Sequence, residues 1–67
     1  MPLIQVTIIE GRSDEKKEEL IYALTKTTHE VIGAPMENVR VIINEVPPNH
    51  WGIAGSSVQK LRAEGKR

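Results

Sequence analysis

Residues 3 to 9 read Leu-Ile-Gln-Val-Thr-Ile-Ile, a dense run of β-branched and apolar side chains. Such side chains suit a pleated, half-buried surface. At a period of two, Ile4, Val6 and Ile8 share one face, and Leu3, Gln5, Thr7 and Ile9 share the other. The first face reads as core, the second as a face partly covered by another subunit. Glu10-Gly11-Arg12 breaks the strand. Ser13 is a suitable helix N-cap, and Asp14 and Glu15 place negative charge in the first turn, where the helix dipole favours it. A full capping box would need Glu or Gln at residue 16, which is Lys16. The spacing predicts a helix to about Ile32. Its apolar stripe is Leu20, Ile21, Leu24, Thr28, Val31 and Ile32, with Tyr22, Lys26 and His29 on the opposite side. Gly33 stands where a left-handed residue ends a helix, and Pro35 prevents continuation.

A second strand is expected over Val39 to Val46. Val39, Val41 and Ile43 share a face, and Arg40, Ile42, Asn44 and Val46 share the other. One helix between two strands is a βαβ unit with parallel strands. Pro47-Pro48-Asn49 is a turn, and residues 50 to 55 read as a short hairpin or edge piece. The fold class is therefore α+β: two parallel strands, a crossover helix and a short C-terminal hairpin. Residues 1–67 form one domain on this reading, with about 56–67 as a C-terminal tail whose large apolar groups are Val58 and Leu61. Two strands and one helix cannot close a core. Two copies paired edge to edge would give four strands with both helices on one face. The other face would stay apolar and invite further assembly.

Composition points the same way. The chain has 67 residues, 39% of them hydrophobic, with one Trp, one Tyr, no Phe and no Cys. So short a chain buries only about 60% of the surface it exposes when unfolded, and it has no disulfide or thiolate metal site to compensate. Nine basic and nine acidic residues give zero net charge, which argues against nucleic-acid binding driven by phosphate neutralisation. The four cations Lys60, Arg62, Lys66 and Arg67 against Glu64 read as a solvated tail. No apolar run is long enough to span a membrane. The N-terminus lacks the features of a signal peptide, so a cytoplasmic protein is expected.

The usual nucleophile sets are missing. Ser13, Ser56 and Ser57 lack a Gly-x-Ser-x-Gly context. His29 and His50 have no partner at metal-ligand spacing, so no metal site is expected. Three features remain. Pro2 follows the initiator Met, and aminopeptidases remove Met when the next residue is small, which would free a rigid secondary amine. Arg12 sits in the turn after the first strand. Arg40 sits in an otherwise apolar strand, where a buried charge needs a partner. Each feature alone also has an ordinary structural explanation.

Together they resemble the 4-oxalocrotonate tautomerase group of the tautomerase superfamily, small β-α-β enzymes with an N-terminal proline. The matching residues are Pro2, the run from Ile9 to Lys17 (Ile-Glu-Gly-Arg-Ser-Asp-Glu-Lys-Lys), the run from Val39 to Glu45 (Val-Arg-Val-Ile-Ile-Asn-Glu), and the segment from His50 to Gly55 (His-Trp-Gly-Ile-Ala-Gly). The resemblance extends to about residue 62. It implies a homo-oligomer, a hexamer built as a trimer of dimers, in which the two arginines and the aromatic residue approach the proline from more than one subunit. It also implies that Pro2 is the general base, that Arg12 and Arg40 bind and activate the substrate, and that Trp51 is the apolar wall, where family members often carry Phe. Ile9 and Ile53 add low-polarity lining.

The implied reaction is cofactor-independent isomerisation of 2-hydroxymuconate-type dienols to their 2-oxo isomers, on a small 2-oxo or 2-hydroxy dicarboxylate substrate. An apolar pocket and nearby cations disfavour the charged amine and keep Pro2 a neutral base. Two readings stand beside it. One is hydration or dehalogenation of a halogenated acrylate on the same fold. The other, favoured if Met1 is retained, is a non-catalytic oligomeric binding module.

Overall fold

The computed structural model describes residues 1–66. Strand β1 (Leu3–Ile9) leads through a short turn into helix α1 (Asp14–Ile32), then a single 3-10 turn over Met36–Asn38 leads into strand β2 (Arg40–Val46). A second 3-10 turn over Pro48–His50 precedes strands β3 (Gly52–Ile53) and β4 (Ser56–Ser57) and the short helix α2 (Val58–Ala63). β1 and β2 pair in parallel from Leu3↔Arg40 to Ile9↔Val46, and β3 and β4 pair antiparallel. The expected α+β unit, with its crossover helix and C-terminal hairpin, is what the chain forms.

Local chemistry accounts for the boundaries of α1. The Ser13 side chain accepts from the Lys16 N–H at 3.2 Å, satisfying one of the unpaired donors of the first turn. At the other end Gly33 adopts φ 77° and donates to the His29 carbonyl. The half-buried side of α1 carries Lys17, Leu20, Ile21, Leu24, Thr25 and Thr28, a regular helical stripe. Thr25 and Thr28 satisfy their hydroxyls on the carbonyls of Ile21 and Leu24, at 2.8 and 2.7 Å. The stripe stops there. Val31 and Ile32, expected to belong to it, are 76% and 63% exposed in the single chain.

The helix lies on the sheet face that carries Ile4, Val6, Ile8, Val41 and Ile43, all half-buried. Lys17 ties the layers together, donating to Glu45 Oε1 at 2.8 Å and bridging to Asp14 at 3.1 Å. The hydrogen bond to Glu45, and then that to Asp14, raise the Lys17 ammonium pKa above its ordinary 10.5. The opposite sheet face, with Leu3, Gln5, Thr7, Ile42 and Asn44, is open to solvent in the single chain.

Two sequence expectations need correction. Arg40 is not inside an apolar strand. It is the first residue of β2 and exposed, because the chain enters the sheet only after Val39, which is itself buried. Residues 56–63, expected within a tail, instead hold β4 and α2. The Ser57 side chain caps α2 by accepting from the Lys60 N–H at 3.1 Å. Val58 is the most buried apolar side chain described, at 3% exposure, and its N–H donates to the Trp51 carbonyl at 2.8 Å. The turn between β3 and β4 is Ala54-Gly55, both with positive φ (52° and 88°), as a type I′ hairpin turn requires.

The single chain is far from a sphere. Its radius of gyration is 15.4 Å, whereas a compact chain of this length has about 11 Å. Val39 and Val58 are the buried apolar residues among those described. Such a chain has little interior of its own.

Candidate active site

The expected site residues fall into two groups at opposite ends of the β1–β2 ladder. At its start stand Pro2 and Arg40. The Arg40 N–H donates to the Pro2 carbonyl at 3.0 Å. The Arg40 guanidinium Nη1 donates to the carbonyls of Glu37 at 2.7 Å and Val39 at 3.4 Å. These bonds orient the guanidinium without neutralising it. Pro2 is half-buried, and Met1 before it is 82% exposed.

At the far end of the ladder a surface pocket of about 270 Å³ is lined by Thr7, Ile8, Ile9, Arg12, Trp51 and Arg62. Gly11 turns the chain away from β1 with φ 137°, a conformation that side-chain-bearing residues avoid. Arg12 then folds back, and its Nη1 donates to the Ile9 carbonyl at 3.1 Å. The 3-10 turn over Pro48–His50 delivers Trp51, half-buried, to the same pocket. Among the described residues the ion pairs are all made by lysines. Arg12, Arg40 and Arg62 therefore keep their charge for another partner. A pocket lined by two arginines together with aliphatic and indole surface suits a planar organic anion.

Of the expected residues, the pocket thus gathers Ile9, Arg12 and Trp51. Pro2 and Arg40 lie elsewhere, and Ile53, half-buried in β3, does not line it. The parallel ladder separates Pro2 from Ile9 by roughly 23 Å, at about 3.3 Å per residue. That is several times the length of a six-carbon acid.

Arg62, in the segment expected to be a tail, also lines the pocket. The signal was present: Ser57 is an N-cap, and Val58, Leu61 and Arg62 follow at i, i+3 and i+4, one face of a helix. Thr7 and Ile8 join the pocket through their place at the end of β1.

Residues 2–61 match the family model described as "Tautomerase enzyme". The chain is 51% identical to the 2-hydroxymuconate tautomerase of Pseudomonas putida over 61 residues, covering 91% of this chain and 97% of that protein. The chain belongs to the 4-oxalocrotonate tautomerase family. Its backbone superposes on TomN, a 4-oxalocrotonate tautomerase homologue in the tomaymycin biosynthetic pathway, with a TM-score of 0.91 and 50% identity, covering 92% of this chain and 95% of the other. It is also similar to a heterohexameric 4-oxalocrotonate tautomerase from Chloroflexus aurantiacus, with a TM-score of 0.87 and 45% identity over 92% of this chain and 100% of that one. Like its relatives in this family, the protein is a tautomerase, an isomerase by reaction class. These relatives do not favour the halogenated-acrylate or the non-catalytic alternative.

Proposed function

We propose that this tautomerase converts 2-hydroxymuconate-type dienols to their 2-oxo isomers in the cytoplasm, as a step in the breakdown of aromatic compounds, with Pro2 as the base and no cofactor. The observation that carries the proposal is the separation of the two residue groups along one sheet. Pro2 and Arg40 share one end, Arg12 and Trp51 share the other, and one small substrate cannot reach both within a chain. A working site then needs the proline end of one copy against the pocket end of another, in a homohexamer arranged as a trimer of dimers. The exposed apolar sheet face and the extended shape of the single chain support such an assembly.

In that site Pro2 acts after Met1 is removed, since only then does its nitrogen carry a free lone pair. The amine takes the proton of the 2-hydroxyl group, and the electron pair left behind spreads over the diene as a dienolate. Arg40 stabilises the negative charge on the oxygen as it develops. The protonated amine then delivers a proton to the far carbon of the diene, which completes the 2-oxo isomer. Arg12 holds the remote carboxylate through its planar fork. Trp51 and Ile9 exclude water, which disfavours the charged amine and keeps the base neutral. Helices long and apolar enough to cross a membrane are absent among the described residues.

The test compares the mature chain with a chain in which Met1 is blocked from removal, both supplied with 2-hydroxymuconate. The mature chain is expected to form the 2-oxo isomer and the blocked chain to be inactive. Equal rates would overturn Pro2 as the base.

A further inference from the structure

The loop between α1 and β2 is a chain of hydrogen bonds that ends on the Arg40 guanidinium. His29, in the last turn of α1, takes part twice. Its carbonyl accepts from the Gly33 N–H at 3.0 Å, and its ring Nδ1 lies 2.7 Å from the Ala34 carbonyl. A carbonyl oxygen can only accept, so Nδ1 carries the proton and donates. Pro35 follows at φ -56° and opens the 3-10 turn over Met36–Asn38. Within it the Asn38 N–H donates to the Pro35 carbonyl at 2.9 Å, and the Val39 N–H to the Met36 carbonyl at 3.1 Å. The next bond of such a turn would join the Arg40 N–H to the Glu37 carbonyl. That N–H goes to the Pro2 carbonyl instead, at 3.0 Å. The Glu37 carbonyl is thereby left for the guanidinium, whose Nη1 donates to it at 2.7 Å.

The contacts to Glu37 and Val39 both use Nη1. The Nε and Nη2 donors of the guanidinium stay available to a ligand, and the position of the Glu37 carbonyl sets where they point. Val39, at 8% exposure, fixes the far end of the loop. At the near end the ring of His29 does so. Besides Arg40 itself, His29 is the side chain that hydrogen-bonds to this loop among the described residues.

We propose that His29 is a positioning residue for Arg40: its Nδ1–H fixes the Ala34 carbonyl, the fixed loop places the Glu37 carbonyl, and that carbonyl aims the guanidinium at the reacting oxygen. The inference rests on the reading above for the role of Arg40, but the hold on the loop can be measured without turnover.

The chemistry of the ring supplies the test. The side-chain nitrogen of Asn stands as far from Cα as His Nδ1 does, whereas that of Gln stands nearer the place of Nε2. His29→Ala and His29→Gln are expected to lower kcat on 2-hydroxymuconate by about three- to fivefold with little change in KM, the weight of one hydrogen bond. His29→Asn should restore most of the loss, and Lys26→Gln, on the same exposed side of α1, should match the parent. In an Arg40→Ala chain, His29→Ala should cost nothing further, since a residue that acts through Arg40 has nothing left to aim. Amide hydrogen exchange gives the second readout: Asn38 and Val39 should exchange faster in the Ala and Gln variants and as in the parent in the Asn variant. Unchanged exchange in His29→Ala, faster exchange with an unchanged kcat, rescue by Gln as full as by Asn, or an equal loss in the Arg40→Ala chain would each overturn the proposal. A parent that fails to turn over 2-hydroxymuconate while exchange follows the expected order would support the hold on the loop and overturn the proposed reaction.

Discussion

Arg40 donates its backbone N–H to the Pro2 carbonyl at 3.0 Å, so the proposed base and the proposed activating cation are made neighbours by one rung of a parallel ladder. The link is through the main chain. Changing the Arg40 side chain therefore leaves the ladder in place and reports on the guanidinium rather than on the fold.

Arg40→Ala is accordingly expected to lower kcat by about a hundredfold or more, the usual cost of removing a donor aimed at developing charge. Arg12→Ala is expected to act mainly on KM for dicarboxylates, with little effect on monocarboxylate dienols. Steady-state kinetics on a matched pair of substrates separates the two. Equal losses on both substrates for both variants would show that the roles are not divided.

Ile42 and Leu3 leave apolar surface exposed on the sheet face away from α1. If a second copy covers that face, Ile42→Lys buries a charge without a partner, a change that costs several kcal/mol, on the order of 3–5. Sedimentation equilibrium is expected to give a hexamer for the parent and smaller species for the variant. Activity should fall in step, because a site shared between copies cannot survive their separation. A monomeric parent with full activity would sink the shared-site reading.

Lys17 joins α1 to Glu45 of β2, and its pKa is raised by that hydrogen bond and by Asp14. A raised ammonium pKa contributes stability that is complete below the unfolded value near 10.5 and is lost as pH rises through the folded value. Lys17→Met should thus lower the melting temperature modestly at neutral pH. The gap between variant and parent should close in strongly alkaline solution, where the ammonium loses its proton. Thermal melts across pH would show this, and a gap that stays constant into that range would refute the ion pair's contribution.

Ala54 holds φ 52° in the hairpin turn, a left-handed conformation that costs a side-chain-bearing residue about 1 kcal/mol. Asn adopts it more readily. Ala54→Asn is expected to stabilise the hairpin by about 0.5 kcal/mol and Ala54→Val to destabilise it by about 1–2 kcal/mol. Urea midpoints measured at fixed protein concentration, so that assembly is held constant, check the order Asn above Ala above Val.

The strands, the helix and its caps were legible because each is a local decision. A period of two fixes the faces of β1, Ser13 and Gly33 fix the ends of α1, and a crossover of this length leaves only parallel pairing. The need for partners was legible as well, since two strands and a helix have too little apolar surface to enclose. Family membership followed from Pro2, the Gly-Arg-Ser-Asp-Glu block and the Arg-bearing second strand read together. Tertiary structure decided where these pieces meet. Sequence spacing could not show that Pro2 and Arg12, ten residues apart, stand at opposite ends of a ladder while Arg12 and Arg62 share a pocket. It could not show that Val31 and Ile32 stay exposed in the single chain, because the helical period continues whether or not anything packs against it. It also hid α2, whose one deeply buried residue, Val58, gains its place only from packing beneath the Pro48–His50 turn and from its bond to Trp51. A periodic pattern is set by the backbone alone, whereas a pocket is set by distances between segments that the chain brings together only when it folds.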